Sequence, residues 1–414
     1  MATAPRQPLL ALDDALTQLL GAVTPLQDTE QVATLQADGR VLAADVVSGL
    51  HVPPQDNSSM DGYAVRCADV AAAGATLTVS QRIAAGAAGT ELLPGTAARI
   101  FTGAPIPPGA DAVVMQEDCT AADGAQGQPC VTVNSVPVSG QWIRRAGEDV
   151  TRGAVVLARG QRLGPAALGL AASVGMAELS VVRRPRVALF STGDELVMPG
   201  QKAPQDMPPG AIYNSNRFFL AALLRRLGCE VSDLGIVPDQ REATVEALRS
   251  AAANHDVILT SGGVSVGEED HIKPAVQSLG SLDLWQIAIK PGKPFAHGRV
   301  GNAHFLGLPG NPVSSFVTFL VLVRPFLLQM QGVSDVAMKS IAVRADFTWA
   351  RADKRREFLR VRRNAQGGLD LFPNQSSGVL TSAVWGDGIV DNPPGRTIAP
   401  GDVVQFVPFA EVMA

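Results

Sequence analysis

Three segments of the sequence combine glycine-rich turns with charged residues. They are Ile258-Leu-Thr-Ser-Gly-Gly-Val-Ser-Val-Gly-Glu-Glu-Asp270, Ile289-Lys-Pro-Gly-Lys-Pro294 and Gly307-Leu-Pro-Gly-Asn-Pro-Val-Ser314. Each follows a short apolar run, which is typical of a buried strand. In an α/β domain such turns admit a ligand past the strand ends, and helix N-termini face it. The pattern therefore predicts a site for a phosphate-bearing ligand.

From Arg186 onward, apolar runs alternate with helical patterns. Strands are expected at 187–191, 230–237, 257–260, 284–289 and 304–308, and helices at 214–227, 241–253, 272–279 and from Pro312. This alternation predicts a mostly parallel sheet. Outside the region that begins at Arg186, residues 9–23 and 165–177 have helical spacing. Residues 51–138 and those beyond Gly332 have short alternating runs with many turns, which is typical of β modules. The expected fold class is thus multidomain: a central α/β domain, an inserted β-rich domain and a small C-terminal β-barrel-like domain.

The expected strands end in polar residues that should converge on one edge of the sheet. The candidates at these ends are Thr192, Gly193, Glu195, Asp239, Ser261, Gly262, Gly263, Ser265, Asp270, Lys290, Lys293, Pro309, Gly310, Asn311 and Ser314. Carboxylates beside an anion repel it unless a hard cation lies between them, and Mg²⁺ is the usual cation. We therefore expect Glu195, Asp239 and Asp270 to hold Mg²⁺ or another divalent cation. Taken singly, each residue is also compatible with a helix cap, a turn or a solvated charge.

Composition excludes several classes of protein. With 414 residues and 46% hydrophobic residues, the chain is long enough for two to four domains. A net charge of −5 argues against a general nucleic-acid binder. The four cysteines form no CxxC pair, the five histidines form no HExxH motif, and the N-terminus does not resemble a signal peptide. Because the apolar stretch Phe316–Val323 is too short to span a bilayer, we expect a cytoplasmic protein without membrane contact.

The motifs together resemble the molybdopterin molybdenumtransferases, the MoeA type of protein that is related to the E domain of gephyrin. The resemblance runs along the whole chain. Beside the three segments above, it includes Asn57-Ser-Ser-Met-Asp-Gly-Tyr-Ala64, Ile100-Phe-Thr-Gly-Ala-Pro-Ile106, Ile143-Arg-Arg-Ala-Gly-Glu-Asp149 and Ser191-Thr-Gly-Asp-Glu-Leu196.

This resemblance implies a reaction and an assembly. Members of the family convert adenylylated molybdopterin and molybdate to molybdenum cofactor and AMP with the help of a divalent cation. They are homodimers whose sites are shared between subunits. On that basis Asp61, Thr102, Arg144 and Asp149 would reach the site of the partner chain, while the strand-end residues line it from the α/β domain. Arg360 and Ser377 would be contributed by the C-terminal module, and transient contacts with other cofactor-assembly proteins are expected.

Simpler explanations exist for some of these residues. Asp61 precedes Gly62 and could belong to a turn, and Arg144 could pair with Glu148 or Asp149. Arg360 follows the basic run Lys354-Arg355-Arg356, which is typical of a solvated face. Gln286 stands where some relatives carry lysine, so anion affinity is weaker or Lys293 and Arg299 compensate.

The expected domains are 1–50 and 141–180 for a discontinuous N-terminal domain, 51–140 for the inserted β-rich domain, 181–329 for the α/β domain and 330–414 for the C-terminal β domain. Two other functions stay open at this point. A molybdopterin adenylyltransferase shares the Ser-Gly-Gly-Val-Ser domain but would consist of little else, and a non-catalytic molybdopterin-binding scaffold would need a docking surface.

Overall fold

The computed structural model describes residues 9–124, 127–264 and 271–413. Helices in this part of the chain are α1 (Leu12–Gly21), α2 (Pro165–Ser173), α3 (Asn216–Arg226), α4 (Arg241–Asn254), α5 (Ile272–Leu279), α6 (Pro312–Thr318), α7 (Arg324–Met330), α8 (Thr381–Trp385) and α9 (Phe409–Val412). A π-helical segment, Phe319–Val323, joins α6 to α7. Short 3-10 turns lie at Thr34–Gln36, Cys67–Asp69, Gln116–Asp118 and Pro204–Asp206.

The strands of the first half are β1 (Thr29–Ala33), β2 (Val46–Val47), β3 (Asn57–Ser58), β4 (Gly62–Val65), β5 (Ala75–Ile83), β6 (Thr96–Ile100), β7 (Ala112–Met115), β8 (Cys119–Asp123), β9 (Pro129–Val133), β10 (Ile143–Arg144), β11 (Val155–Leu157) and β12 (Glu178–Val182). Those of the second half are β13 (Arg186–Thr192), β14 (Leu196–Val197), β15 (Ile212–Tyr213), β16 (Glu230–Val237), β17 (Val257–Ser261), β18 (Gly280–Gln286), β19 (Ile289–Lys290), β20 (Pro294–Val300), β21 (Ala303–Leu308), β22 (Ile341–Arg344), β23 (Arg356–Arg363), β24 (Leu369–Leu371), β25 (Gly388–Asn392) and β26 (Val403–Pro408).

The central sheet has the order β16-β13-β17-β21-β20-β18. Strands β16, β13, β17 and β21 are parallel, so their carboxyl ends lie at one edge, whereas β20 runs antiparallel to both β21 and β18. Buried side chains fill both faces. One face packs against α3 and the helix that begins at Pro312, and the other packs against α4 and α5. This agrees with the expected mostly parallel α/β sheet.

The expectation of one strand over 284–289 was wrong. The chain forms β18 within the central sheet, and β19 then pairs in parallel with β23 of the C-terminal sheet. Strand β20 was not expected from the sequence, and its Pro294 starts the strand at the carboxyl edge. Since β20 runs away from that edge, Arg299 lies toward its other end and donates to the carbonyl of Asn302. Arg299 therefore does not compensate for Gln286 at the site.

The helix Pro312–Met330 is longer than the apolar stretch singled out in the sequence. Its 19 residues and its mean hydropathy of 1.7 would suffice for a membrane span by length and composition, but 94% of its most apolar window is buried inside the protein. It packs with α1, whose Leu12, Ala15 and Leu19 share the core of the α/β unit. The first helix therefore contributes to the α/β core, although the expected boundaries assign it to the N-terminal domain.

The rest of the N-terminal half forms two β units. In the first unit, which we call the N-terminal module, strands β1, β2, β11 and β12 and helix α2 surround one cluster that includes Leu42, Leu157 and Val181. The β-rich unit has a six-stranded sheet of order β7-β4-β6-β5-β9-β8, and β3 pairs with β10 beside it. The turn-rich pattern of residues 51–138 predicted this β-rich segment.

The C-terminal module is a sheet of order β19-β23-β25-β26-β22, with β24 paired to β23. Its own core includes Phe347, Leu359 and Phe406. Strand β19 lies in the segment that follows β18, and β18 ends at the carboxyl edge of the central sheet. The C-terminal sheet is therefore joined directly to that edge. The expected domain boundaries themselves stay a prediction.

Candidate active site

A cavity of about 760 Å³, which we call the large cavity, opens at the carboxyl edge of the central sheet. This volume is typical of small-molecule sites, roughly 300–1,000 Å³. Eleven of the residues singled out in the sequence line it: Thr192, Gly193, Glu195, Asp239, Ser261, Gly262, Gly263, Pro309, Gly310, Asn311 and Ser314. The parallel strands explain this convergence, because their carboxyl ends deliver successive loops to one edge. Ser265 and Asp270 lie outside the described residues.

The turn after β17 depends on its two glycines. Gly262 and Gly263 have φ angles of +95° and +69°, a region that disfavours residues with a Cβ atom. A Cβ at Gly262 would lie 2.9 Å from the carbonyl oxygen of Thr192, and one at Gly263 would lie 2.5 Å from the side chain of Ile272. The turn can therefore pass close to β13 and α5 only with glycine, which leaves backbone facing the cavity.

Asn216 joins the two glycine-rich loops. Its Nδ2 donates to the Oγ of Ser261 at 2.8 Å and to the carbonyl oxygen of Gly310 at 2.7 Å, and the residue is 7% exposed. Asn214 also lines the cavity, and its buried Nδ2 has no hydrogen-bond partner among the described residues. Buried polar groups are rarely left unpaired, so this amide is a candidate ligand donor.

Sequence reasoning missed both asparagines as site residues. The sequence at 214–216 predicts only the start of a helix, since asparagine and serine favour that position. The side-chain oxygen of Asn214 does accept a hydrogen bond from the backbone of Arg217, at 3.3 Å. The sequence did contain a signal for these asparagines. They are polar residues that follow a strand and begin a helix at the carboxyl edge of the sheet, where ligands bind.

Two helix N-termini border the cavity. Ser215 and Asn216 begin α3, while Asn311, Pro312 and Ser314 begin α6, and all of them line the cavity. The first turns of helices carry unpaired N–H groups and a partial positive charge, which stabilise anions. The cavity is therefore suited to phosphate groups although no lysine or arginine is among its described lining residues.

Two carboxylates, Glu195 and Asp239, line the same cavity. Glu195 is exposed and Asp239 is partly buried. Among the described residues, no cluster of three His, Cys, Asp or Glu side chains could hold a metal ion. Magnesium, however, often binds through one or two carboxylates together with substrate phosphates. The donor pair fits such a cation, which would neutralise phosphate charge in the cavity.

Lys290 and Lys293 follow β18 but do not line the cavity. The Nζ of Lys290 lies 3.0 Å from Oε1 of Glu357 and 3.4 Å from Oδ2 of Asp353, so it joins the loop to the C-terminal module. Glu357 is only 1% exposed, and its other oxygen accepts a hydrogen bond from Nε1 of Trp349. Lys293 is exposed. These two lysines therefore have different surroundings.

Arg360 is buried, with 1% exposure, and does not lie on the solvated face that the basic run suggested. Its guanidinium donates to the carbonyl of Phe358 at 2.9 Å and to the Oγ of Ser382 at 3.1 Å. Burial lowers the pKa of Arg360 to about 10. Nearby, the carbonyl of Ser377 accepts the N–H of Val313 in the first turn of α6, and Gly378 lines the cavity. The C-terminal module thus forms one wall of the site.

The four candidates from the N-terminal half lie outside this cavity. Asp61 accepts hydrogen bonds from the backbone N–H of Thr102 at 2.8 Å and from its hydroxyl at 2.7 Å. These bonds, together with the charge of Arg99, hold the pKa of Asp61 below its ordinary value. Arg144 of β10 pairs in register with Asn57 of β3, which lies shortly before Asp61 in the sequence, and Asp149 is exposed. Arg145, not Arg144, forms the ion pair there, with Asp56 at 2.5 Å.

Three family profiles match consecutive parts of the chain. Residues 10–175 match "MoeA N-terminal region (domain I and II)", 188–329 match "Probable molybdopterin binding domain", and 342–409 match "MoeA C-terminal region (domain IV)". Among curated proteins, a molybdopterin molybdenumtransferase of Haemophilus influenzae is 45% identical over 325 residues, 78% of each chain. The chain belongs to the MoeA family. A second relative, molybdopterin molybdenumtransferase 2 of Mycobacterium tuberculosis, is 41% identical over 378 residues, 87% of this chain and 90% of its own.

Solved structures of MoeA proteins have the same architecture. The molybdopterin biosynthesis MoeA protein of Pyrococcus horikoshii OT3 matches with a TM-score of 0.83 at 28% identity, over 97% of this chain and 100% of its own. The expected fold class, a central α/β domain with β modules, is thereby confirmed. The large cavity falls within the part matched as the molybdopterin-binding domain, and the MoeA C-terminal region contributes its wall at Gly378.

Proposed function

We propose that this protein is a molybdopterin molybdenumtransferase that acts on adenylylated molybdopterin and molybdate. The observation that carries the proposal is the large cavity, where glycine-rich turns and two helix N-termini meet carboxylates at the carboxyl edge. A ligand with phosphate groups and an associated cation fits this combination. The names of the curated relatives agree with this substrate class.

The proposed reaction cleaves the phosphoanhydride of adenylylated molybdopterin with water and releases AMP. Molybdate exchanges one oxygen for the two dithiolene sulfurs, and that oxygen leaves as water with the two thiol protons. Backbone N–H groups at the starts of α3 and α6 would bind the phosphates, with the amide of Asn214 as an additional donor. Glu195 and Asp239 would hold a divalent cation, which would stabilise negative charge developing on phosphate oxygens. Asp270 is proposed as a further ligand on sequence grounds.

Completion of the site by a second subunit is part of the proposal. Asp61, Thr102, Arg144 and Asp149 lie outside the cavity of their own chain, yet hydrogen bonds and strand pairing bring Asp61, Thr102 and Arg144 into one region. A two-fold axis could bring that region to the partner's cavity. We propose a cytoplasmic homodimer of this kind, which contacts other cofactor-assembly proteins transiently.

A molybdopterin adenylyltransferase is the rival that a specific observation addresses. The central domain alone would suffice for it, whereas this chain also matches the MoeA N-terminal and C-terminal regions. The two functions differ in their nucleotide chemistry. One consumes ATP, and the other releases AMP from a preformed adenylylated substrate.

Reconstitution of the purified protein tests the proposal. With adenylylated molybdopterin, micromolar molybdate and Mg²⁺, we expect AMP release that requires both molybdate and the divalent cation. Active cofactor should form in step with AMP. Consumption of ATP with free molybdopterin would favour the adenylyltransferase, and binding of molybdopterin without any turnover would favour a scaffold.

A further inference from the structure

A second cavity, of about 350 Å³, lies where the N-terminal module meets the α/β domain. Four arginines line it, Arg162, Arg184, Arg225 and Arg226, together with Asp38 and Met413. It shares no lining residue with the large cavity. Nothing in the proposed reaction uses this place.

The charge of this cavity is opposite to that of the whole protein. Four arginines and one aspartate give the lining a formal charge of +3, since 4 − 1 = 3, whereas the chain carries −5. Like charges that share a cavity repel each other, and less water between them makes the repulsion larger. An acidic protein has ample carboxylates to pair with arginines, but only Asp38 lines this cavity.

Helix capping explains part of the cluster. Arg162 donates to the carbonyl of Arg226 at 2.7 Å, and Arg184 donates to the carbonyl of Gly228 at 3.3 Å. Cations stabilise the C-terminal end of a helix, which is the role of Arg162 at the last residue of α3, while Arg184 binds the turn that follows the helix. Burial lowers the pKa of Arg162, although Asp38 acts in the opposite direction. The nearest carboxylate therefore does not fully offset the loss of water around this guanidinium.

Capping does not explain the remaining two arginines. The side chains of Arg225 and Arg226 are exposed and have no ion-pair or hydrogen-bond partner among the described residues. They belong to the last turn of α3 and line the same cavity as Arg162 and Arg184. Guanidinium groups bind phosphate oxygens through two parallel hydrogen bonds, which lysines cannot do.

We propose that this second cavity is a binding site for a phosphate-class oxyanion, either inorganic phosphate or the phosphate of a small nucleotide. The arginines surround a cavity and do not form an extended basic stripe, so a small ligand fits better than a nucleic acid. Residues of the N-terminal module, Gly39 and Arg162, and the end of α3 share the lining. A bound oxyanion would therefore strengthen the junction between the module and the α/β domain.

The test is titration of the full-length protein with inorganic phosphate at constant ionic strength, followed by calorimetry and thermal unfolding. Ligands that bind only the folded state raise the unfolding temperature in a saturable way. We expect saturable binding that Arg225→Gln and Arg226→Gln each weaken on the order of tenfold, as expected for one lost charge-assisted hydrogen bond. Arg249→Gln, which removes an exposed arginine from α4 of the same domain, is the matched control and should change little.

Further variants distinguish phosphate binding at this site from binding in the large cavity, and a further ligand identifies the source of the phosphate. Asn311→Ala, at an exposed position that lines the large cavity and lies outside α3, should leave phosphate binding here unchanged, while Arg226→Lys, which keeps the charge, should retain part of it. Tighter binding of AMP than of phosphate, sensitive to the same two arginines, would identify a nucleotide; equal or weaker binding would identify free phosphate. Non-saturable stabilisation, or equal loss in Arg249→Gln, would overturn the proposal.

Discussion

The side-chain amide of Asn216 lies 2.8 Å from the Oγ of Ser261, at the junction of α3 and β17. The same amide nitrogen donates to Gly310, so one buried side chain ties together the two glycine-rich loops that border the large cavity. Because each loop also precedes a helix, this contact fixes the relative position of the elements that would bind phosphate. The side chain of Asn216 is thus a positioning group, whereas its backbone lies at the helix start that would bind phosphate.

Replacement of Asn216 tests this role. Asn216→Asp keeps the shape but removes both donated hydrogen bonds and places a negative charge beside a phosphate site. We expect a loss of about 1–3 kcal/mol in unfolding free energy, because buried acceptors lose their donor, and a rate loss on the order of 100-fold from misplaced loops. Urea unfolding and AMP release measure the two effects. The exposed Asn254→Asp at the end of α4 is the control; equal effects there would contradict the role.

Local periodicity was enough to predict the main α/β elements. Strand β16 and helix α5 have the bounds expected from the sequence, since each is a short apolar pattern between clear stops. The pairing of β19 with β23 was not predictable, because partners 67 positions apart leave no local pattern. For the same reason Lys290 was expected at the anion site and not beside Glu357. The burial of Arg360 could not be predicted from the basic run before it, because residues 357–361 of β23 are all buried, which places both faces of this part of the strand inside the protein.

The carboxylates of the large cavity provide a second prediction. Asp239 lines the cavity and is partly buried, so Asp239→Asn should alter charge with little effect on stability. The loss of a metal ligand should lower the rate of AMP release on the order of 100-fold. Asp270→Asn should behave likewise, and excess Mg²⁺ should restore part of the activity. Rates within a fewfold of wild type in both variants would mean that these residues serve the fold and not a cation.

Lys290 and Lys293 should differ when each is replaced by methionine. Lys290→Met leaves the nearly buried Glu357 without its cation, which should cost about 1–3 kcal/mol of stability after allowance for the partial exposure of the lysine. Glu357→Gln in the same chain should recover part of it. The exposed Lys293→Met should change stability by less than about 0.5 kcal/mol. If Lys293→Met nevertheless slows AMP release, Lys293 contacts the anion. Denaturant unfolding measures the stability of each variant and the rate of AMP release measures its activity, so the two effects can be separated.

The stability of the protein should fall in mild acid because of His297 and His304. Both are buried, 7% and 4% exposed, and their rings stack in the core beside Phe326. Burial lowers their pKa values from 6.5 to about 4 and about 3. Between those values and 6.5 the unfolded chain binds more protons than the folded one. The stability from neutral histidines is thus complete above pH 6.5 and is lost as the pH falls toward 4.

The expected loss between pH 7.5 and pH 5 is about 2 kcal/mol for each histidine. Urea unfolding at the two pH values measures it. His304→Phe should show a smaller pH dependence than the wild type whatever its absolute stability, because one titrating group is gone. His51→Gln, at an exposed position, is the control and should retain the full dependence. An unchanged slope in His304→Phe would assign the acid sensitivity to other groups.

The shared site is tested by complementation between two inactive chains. Asp61 lies outside the cavity that Asp239 lines, so in the proposed dimer Asp239 would serve the site of its own chain and Asp61 the site of the partner chain. Asp61→Asn and Asp239→Asn homodimers should both be inactive. In a mixed dimer, however, one of the two sites receives Asp239 from the first chain and Asp61 from the second, both wild type. Random mixing should then restore about a quarter of the wild-type sites.

Co-expression with two different affinity tags and two-step purification would isolate the mixed dimer, whose rate of AMP release should reach about half that of the wild type. A mixture of Asp239→Asn with Glu195→Gln is the control, because both lesions fall in the same cavity and no site would be intact. If each site were built within one chain, the Asp61→Asn and Asp239→Asn mixture would stay as inactive as this control, since every site would carry a lesion. Recovery in the first mixture alone is the outcome expected for sites completed across the two-fold axis.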